Sequence, residues 1–178
     1  MLKNVKEGLV IAAIAVLIAL LVGLFSDFII SQSGAVSIMV IVLLAIVVLG
    51  ILADALGTAA AAATLKPLNA LASKKVLGAK EAVSIMKKAD RFANISQDVI
   101  GDVLNTLSGV FGVGIVVALA VDKTSESWMT LFITAAIVAL NVFGKSIGKS
   151  IAIKESYQIM LLCGKAVHYF NKAIGRKS

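Results

Sequence analysis

Four stretches of this chain carry no charged residue: 8–26, 28–53, 103–121 and 127–144. Each has roughly the 17–25 residues that a helix needs to cross about 30 Å of hydrocarbon. The expected fold class is therefore all-α, a polytopic membrane protein with four transmembrane helices. Composition agrees, with 60% hydrophobic residues and only 15% charged, well away from the balance of a soluble domain. The first run has the alternative reading of a signal peptide, because Lys3 and Lys6 precede it. Its apolar part, Leu9 to Phe25, is longer than a signal core, and "LFSDF" offers no small-x-small cleavage site. It reads as a span, 8–30.

The basic residues set the expected orientation. All 17 lysines and arginines except Lys123 fall at the N-terminus, in the segment 64–98 or after residue 144. The two alternate loops, "SQSG" and "DKTSES", hold Lys123 alone. The positive-inside rule then places both termini in the cytoplasm of a cell-membrane protein. The formal charge of +7 follows from loops that face anionic lipid heads and calls for no nucleic acid.

Two basic segments look like more than loops. Within 65–93, Ala72, Val76, Ala79, Val83, Met86 and Ala89 recur at helical spacing with lysines between them, the pattern of an amphipathic juxtamembrane helix, interrupted near Gly78. A C-terminal helix, 151–175, places Ile153, Tyr157, Met160 or Leu161, Gly164 and Val167 on one side. Its uncharged core, 156–164, is too short to span. "TAAAAATL" (58–65) extends the second span towards the cytoplasm, and Pro67 marks where it gives way to the juxtamembrane helix. Residues 1–178 thus form a single membrane domain.

Enzymatic equipment is not recognisable. "FGKSIGK" twice spells Gly-Lys-Ser or its beginning, but Gly144 and Gly148 stand three residues apart rather than four, after a stretch too long for a strand, which argues against a phosphate loop. Cys163 and His168 are the sole cysteine and histidine; they make no zinc site, and Cys163 reads as a small buried residue. "NIS" at 94–96 falls on the cytoplasmic side, where glycosylation does not occur. The chain is not read as an enzyme.

The informative residues are ionisable groups at the margins of the spans. Asp54, Asp102 and Lys145 each stand 18 or 19 residues from the expected outer ends at Ala35, Val121 and Ser127, a common depth of roughly 27–29 Å at 1.5 Å per residue. The expectation is that they meet. Asp54 is the most telling, because eleven uncharged residues follow it before Lys66, and a charge inside a span calls for a partner or a water-filled cavity. Asn105 and Asn141, one turn from Asp102 and Lys145 on the same helix faces, add polar lining. Asp27 reads as interfacial.

From about Leu49 to the C-terminus, these pieces resemble the transmembrane domain of the CNNM/CorC magnesium transporters. The resemblance is carried by "ADALGTA" (53–59), "LNALASKKVLGAKEAVSIMKKADRF" (68–92), "IGDVLN" (100–105) and, most specifically, "FGKSIGK" (143–149). These stand where the family has Phe-Ser-x-x-Glu-x-Ala, a charged helical hairpin, Ile-Gly-Asn-x-x-x-Asn and Phe-Gly-Glu-x-x-Pro-Lys. The resemblance implies a cation site in a homodimer. Carried over, its Ser position falls on Asp54, its Asn on Asp102, its Glu on Lys145 and its Pro on Gly148, with Lys149 retained and the further Glu replaced by Gly57. Gly144 and Gly148 are then expected to mark a helix break.

Magnesium prefers hard oxygen ligands in near-octahedral geometry, which an ammonium group cannot supply. Two aspartates facing one lysine look like a site whose cation has become part of the protein. Asp54 and Asp102 remain candidate metal ligands, for Mg2+ if Lys145 is neutral and otherwise for a monovalent cation or a proton. The cytoplasmic nucleotide-binding modules of the family are not among the 178 residues, so gating is expected from the juxtamembrane helices or a separate regulatory protein. Two functions follow: a cation transporter or exchanger with an altered site, or a non-transporting scaffold or regulatory subunit locked by an Asp–Lys salt bridge.

Overall fold

The computed structural model describes residues 2–32, 36–119 and 122–175; for 2–7, 22, 25–27, 29–32 and 124 it describes the backbone alone. Among these residues every regular element is helical: α1 (Leu2–Gln32), α2 (Val36–Ala62), α3 (Leu65–Ser73), α4 (Ala79–Met86), α5 (Ala89–Asn94), a π-helical turn (Ile95–Gly101), α6 (Asp102–Leu119), α7 (Lys123–Lys154) and α8 (Ser156–Ala173). Three are long and apolar enough to cross a bilayer: α2, the continuous helix Ala89–Leu119, and Ser125–Lys154 of α7. In α1 the apolar stretch among the described residues is Gly8–Leu21. Helices suit such segments because they satisfy every backbone group internally where no water can.

α2 is the central element. It packs against α5, the π turn, α6, α7 and α8, and its two ends build two separate cores. At one end Met39, Leu43, Ile46 and Val47 meet Phe111 and Ile115 of α6 and Ile137 of α7. At the other Ala59 and Ala60 meet Leu68, Ala82, Met86, Ala93, Ala152 and Met160. The alanine run expected to prolong α2 does so, to Ala62, and supplies small residues to the core that it shares with α3, α4, α5, α7 and α8. Between the cores, α2 carries Gly50, Asp54 and Gly57. α7 lies mostly open, with Trp128, Phe132 and Phe143 exposed.

The juxtamembrane segment breaks where Gly78 stands. α3 ends at Ser73, Lys75 takes a left-handed backbone (φ 57°), and Gly78 (φ 79°) starts α4. Only glycine fits there, because a Cβ would also collide with the Lys165 backbone of α8. Pro67 sits in the first turn of α3, where its missing N–H is harmless. Of the residues expected to face inward, Ala79 and Met86 are buried, joined by Leu68 and Ala82.

Several expectations need correction. The helix starting at Ala89 does not stop at 93 but runs through the π turn into α6, so the expected juxtamembrane segment continues directly into the apolar helix that ends at Leu119. The C-terminal helix begins at Ser156 rather than 151, because α7 continues to Lys154 and the chain bends at Glu155. On it Met160 and Gly164 are buried against α4, whereas Tyr157 and Val167 are exposed, as is Ile153, which falls on α7. α7 is not broken at Gly144 or Gly148. Those glycines serve close approach: a Cβ at Gly144 would collide with Ile51 Cδ1, and one at Gly148 would press on Ile51 and Ala55 of α2.

Candidate functional site

Between the two apolar cores runs a polar seam assembled from α2, α6 and α7. Asp54 is 2% exposed, and its Oδ2 lies 3.4 Å from Nζ of Lys149. That ammonium is at ion-pair distance but off the hydrogen-bonding direction, so Oδ2 has no hydrogen-bond donor among the described residues. One turn earlier on α7, Nζ of Lys145 lies 3.3 Å from Oδ1 of Asp102. The exposures are reversed between the pairs: 42% for Lys149 and 3% for the Asp54 side chain, 25% for Lys145 and 66% for Asp102.

Local sequence explains both contacts. Lys145 and Lys149 are four residues apart and share one face of α7. Gly144 and Gly148 draw that face against Ile51 and Ala55 of α2, bringing Lys149 within reach of the acid at position 54. Gly101, the last residue of the π turn, adjoins Asp54, where a Cβ on it would stand 3.6 Å from the Asp54 amide nitrogen. Asp102 follows as the first residue of α6. It opens onto a cavity of about 220 Å3 between α6 and α1, also lined by Ala19, Val103, Thr106 and Leu107.

Beside these charges lies a neutral cluster. Nδ2 of Asn141 donates to Oγ of Ser108 (3.1 Å), which donates to the carbonyl of Asn105 (2.6 Å). Both amide atoms of Asn105 and Oδ1 of Asn141 are buried with no partner among the described residues. Gly50, one turn before Asp54, leaves the space that Asn105 Oδ1 occupies; a Cβ there would stand 3.0 Å from that oxygen. Each such orphan disfavours the fold by about 1–3 kcal/mol unless something else bonds it. With Asp54 Oδ2, four orphaned polar atoms lie in this part of the bundle, where native proteins place a water or an ion.

Of the three residues expected to meet, Asp102 and Lys145 do, whereas Asp54 is paired with Lys149. Asn105 and Asn141 join through Ser108. Two participants escaped the sequence reading: Lys149, considered only as a retained motif residue, and Ser108. Their signals were present as the four-residue lysine spacing and the three-residue step from Asn105. Ala35 and Val121, the reference points for depth, and the side chain of Asp27 lie outside the described residues. Among the described residues, no three His, Cys, Asp or Glu side chains group as a metal cluster. Cys163 and His168 do not work together: Nδ1 of His168 lies 2.7 Å from Oε1 of Glu81 on α4, and burial pushes the half-buried Cys163 thiol up, away from the reactive thiolate.

No protein-family model matches this chain, and no curated protein or solved structure matches it.

Proposed function

We propose that this protein is a cell-membrane cation transporter or exchanger that spans the bilayer four times, with α1 as the first span, both termini cytoplasmic, and Asp54 as its ion-binding carboxylate. The observation that carries this reading is a carboxylate 2% exposed, in the middle of an apolar helix, with one oxygen lacking a hydrogen-bond donor. An intramembrane acid of this kind normally serves an ion or proton path. α1, at 31 residues, is about 46 Å long at 1.5 Å per residue, ample for a crossing. The resemblance to CNNM/CorC domains adds the expectation of a homodimer.

The substrate is a monovalent cation or a proton rather than magnesium. Two aspartates face two lysines, so the charged part of the seam is neutral as built, and neither acid offers Mg2+ an unopposed oxygen set. A small cation would replace the Lys149 ammonium at Asp54. Lys149, 42% exposed, would then move into water at little cost. The neutral oxygens of Asn105, Asn141 and Ser108 would form the adjoining station, and the cavity beside Asp102 would admit water.

The second reading, a scaffold or regulatory subunit, is favoured by one observation: each of the two acids has a lysine within 3.4 Å. Thermal stability titrations of purified protein with sodium, magnesium and manganese separate the two, alongside sodium and proton flux in proteoliposomes. Sodium-dependent stabilisation and flux in wild type, both lost in Asp54→Asn, are expected. No cation response and no flux in wild type would establish the locked scaffold instead. A magnesium response appearing only in Lys145→Glu would show that the lysine is what excludes the metal.

A further inference from the structure

Away from the seam, a cavity of about 220 Å3 opens between the α3–α4 turn and α8, lined by Lys75, Lys80, Glu81, His168 and the Val76–Gly78 backbone turn. We propose that this cavity binds a phosphate group, carried either by an acidic lipid head or by a small soluble phosphomonoester. The inference does not depend on cation transport at Asp54.

The charge balance supports an anion. Glu81 is the acid in the lining, and it faces His168 at 2.7 Å. The two lysines of the lining, Lys75 and Lys80, outnumber it. Among the described residues neither lysine has a carboxylate at ion-pair distance. Two lysines lining one concave site suit the oxygens of a phosphate, which accept charge-assisted hydrogen bonds.

The shape gives the same answer. The left-handed backbone at Lys75 and Gly78 folds the turn back towards α8, so the lysines stand around a hollow instead of along a helix face. The position also suits a headgroup. α3, of nine residues, is about 13 Å long and leads directly from the end of α2, while Leu77 at the rim is 44% exposed and offers an apolar surface to an acyl chain. A phosphate held here would touch both the α3–α4 turn and α8, adding to the contacts already made there by Gly78, Ala82 and Gly164 and by Glu81 with His168.

The test uses the full chain in phosphatidylcholine nanodiscs. One arm adds inorganic phosphate and glycerol phosphate and follows thermal stability. The other replaces part of the lipid by phosphatidic acid and follows lipid retention by native mass spectrometry. Each is repeated with Lys75→Gln/Lys80→Gln and with Lys87→Gln/Lys154→Gln, which removes equal charge outside the cavity. Either ligand binding about tenfold or more weakly to the first variant, and unchanged to the second, supports the proposal, and the arm that responds identifies the source. Absence of binding in both arms, or equal losses in both variants, overturns it. Both variants alter exposed lysines, and wild-type unfolding temperatures without ligand verify that they fold.

Discussion

The two aspartate–lysine pairs of the seam use the same chemistry in opposite settings. At Asp54–Lys149 the acid is buried and the base half-exposed; at Asp102–Lys145 the acid is exposed and the base mostly covered. What decides the worth of each pair is the group that stays behind when its partner goes. A carboxylate left inside the bundle has neither water nor counterion, whereas one left in the α1–α6 cavity has solvent. Under the proposed transport function, ion exchange would therefore fall at Asp54, because the half-exposed Lys149 has water to move into.

The largest expected effect is that of Lys149→Met. It strands Asp54 and should destabilise the protein by about 3 kcal/mol or more, whereas Lys145→Met should stay within about 1 kcal/mol. Denaturant unfolding in detergent measures both, and equal losses would break the comparison. Next comes the packing that brings the acids to the lysines. A Cβ at Gly57 would stand 2.9 Å from the Ala93 carbonyl oxygen and from Gln97 Cβ. Gly57→Ala should therefore cost about 1–3 kcal/mol. Gly109→Ala, with no heavy atom near its Cβ, should stabilise α6 by about 0.5–1 kcal/mol.

A finer distinction concerns Asn105. If its amide bonds an ion or water, Asn105→Leu should destabilise by about 1–3 kcal/mol and abolish any sodium-dependent rise in melting temperature. A dry cluster would make the same change neutral or stabilising, because an orphaned polar group would have been removed. The smallest effect is expected for His168→Gln. Its pair with Glu81 is only partly buried, so stability should fall by less than about 1 kcal/mol, measurable as a small shift in the unfolding midpoint.

By itself the sequence determined the helical class, the apolar runs, the break at Gly78 and the need of Asp54 for a partner. All of these rest on local properties: run length, helical spacing, one positive-φ residue, one charge within an apolar run. Tertiary structure decided which lysine Asp54 meets. Counting residues at 1.5 Å placed Asp54, Asp102 and Lys145 at one depth, but depth does not specify rotation about the helix axis. That rotation is set by Gly144 and Gly148 against Ile51 and Ala55 and by the π turn Ile95–Gly101. The π turn departs from 3.6 residues per turn and re-phases everything after it. Gly101 consequently faces Asp54 while Asp102 turns to the cavity and Lys145. The same holds for Asn105, Ser108 and Asn141: each polarity is visible in the sequence, but their burial together depends on α6 meeting α2 at Gly50 and α7 through Asn141 and Ser108, and that is a property of packing.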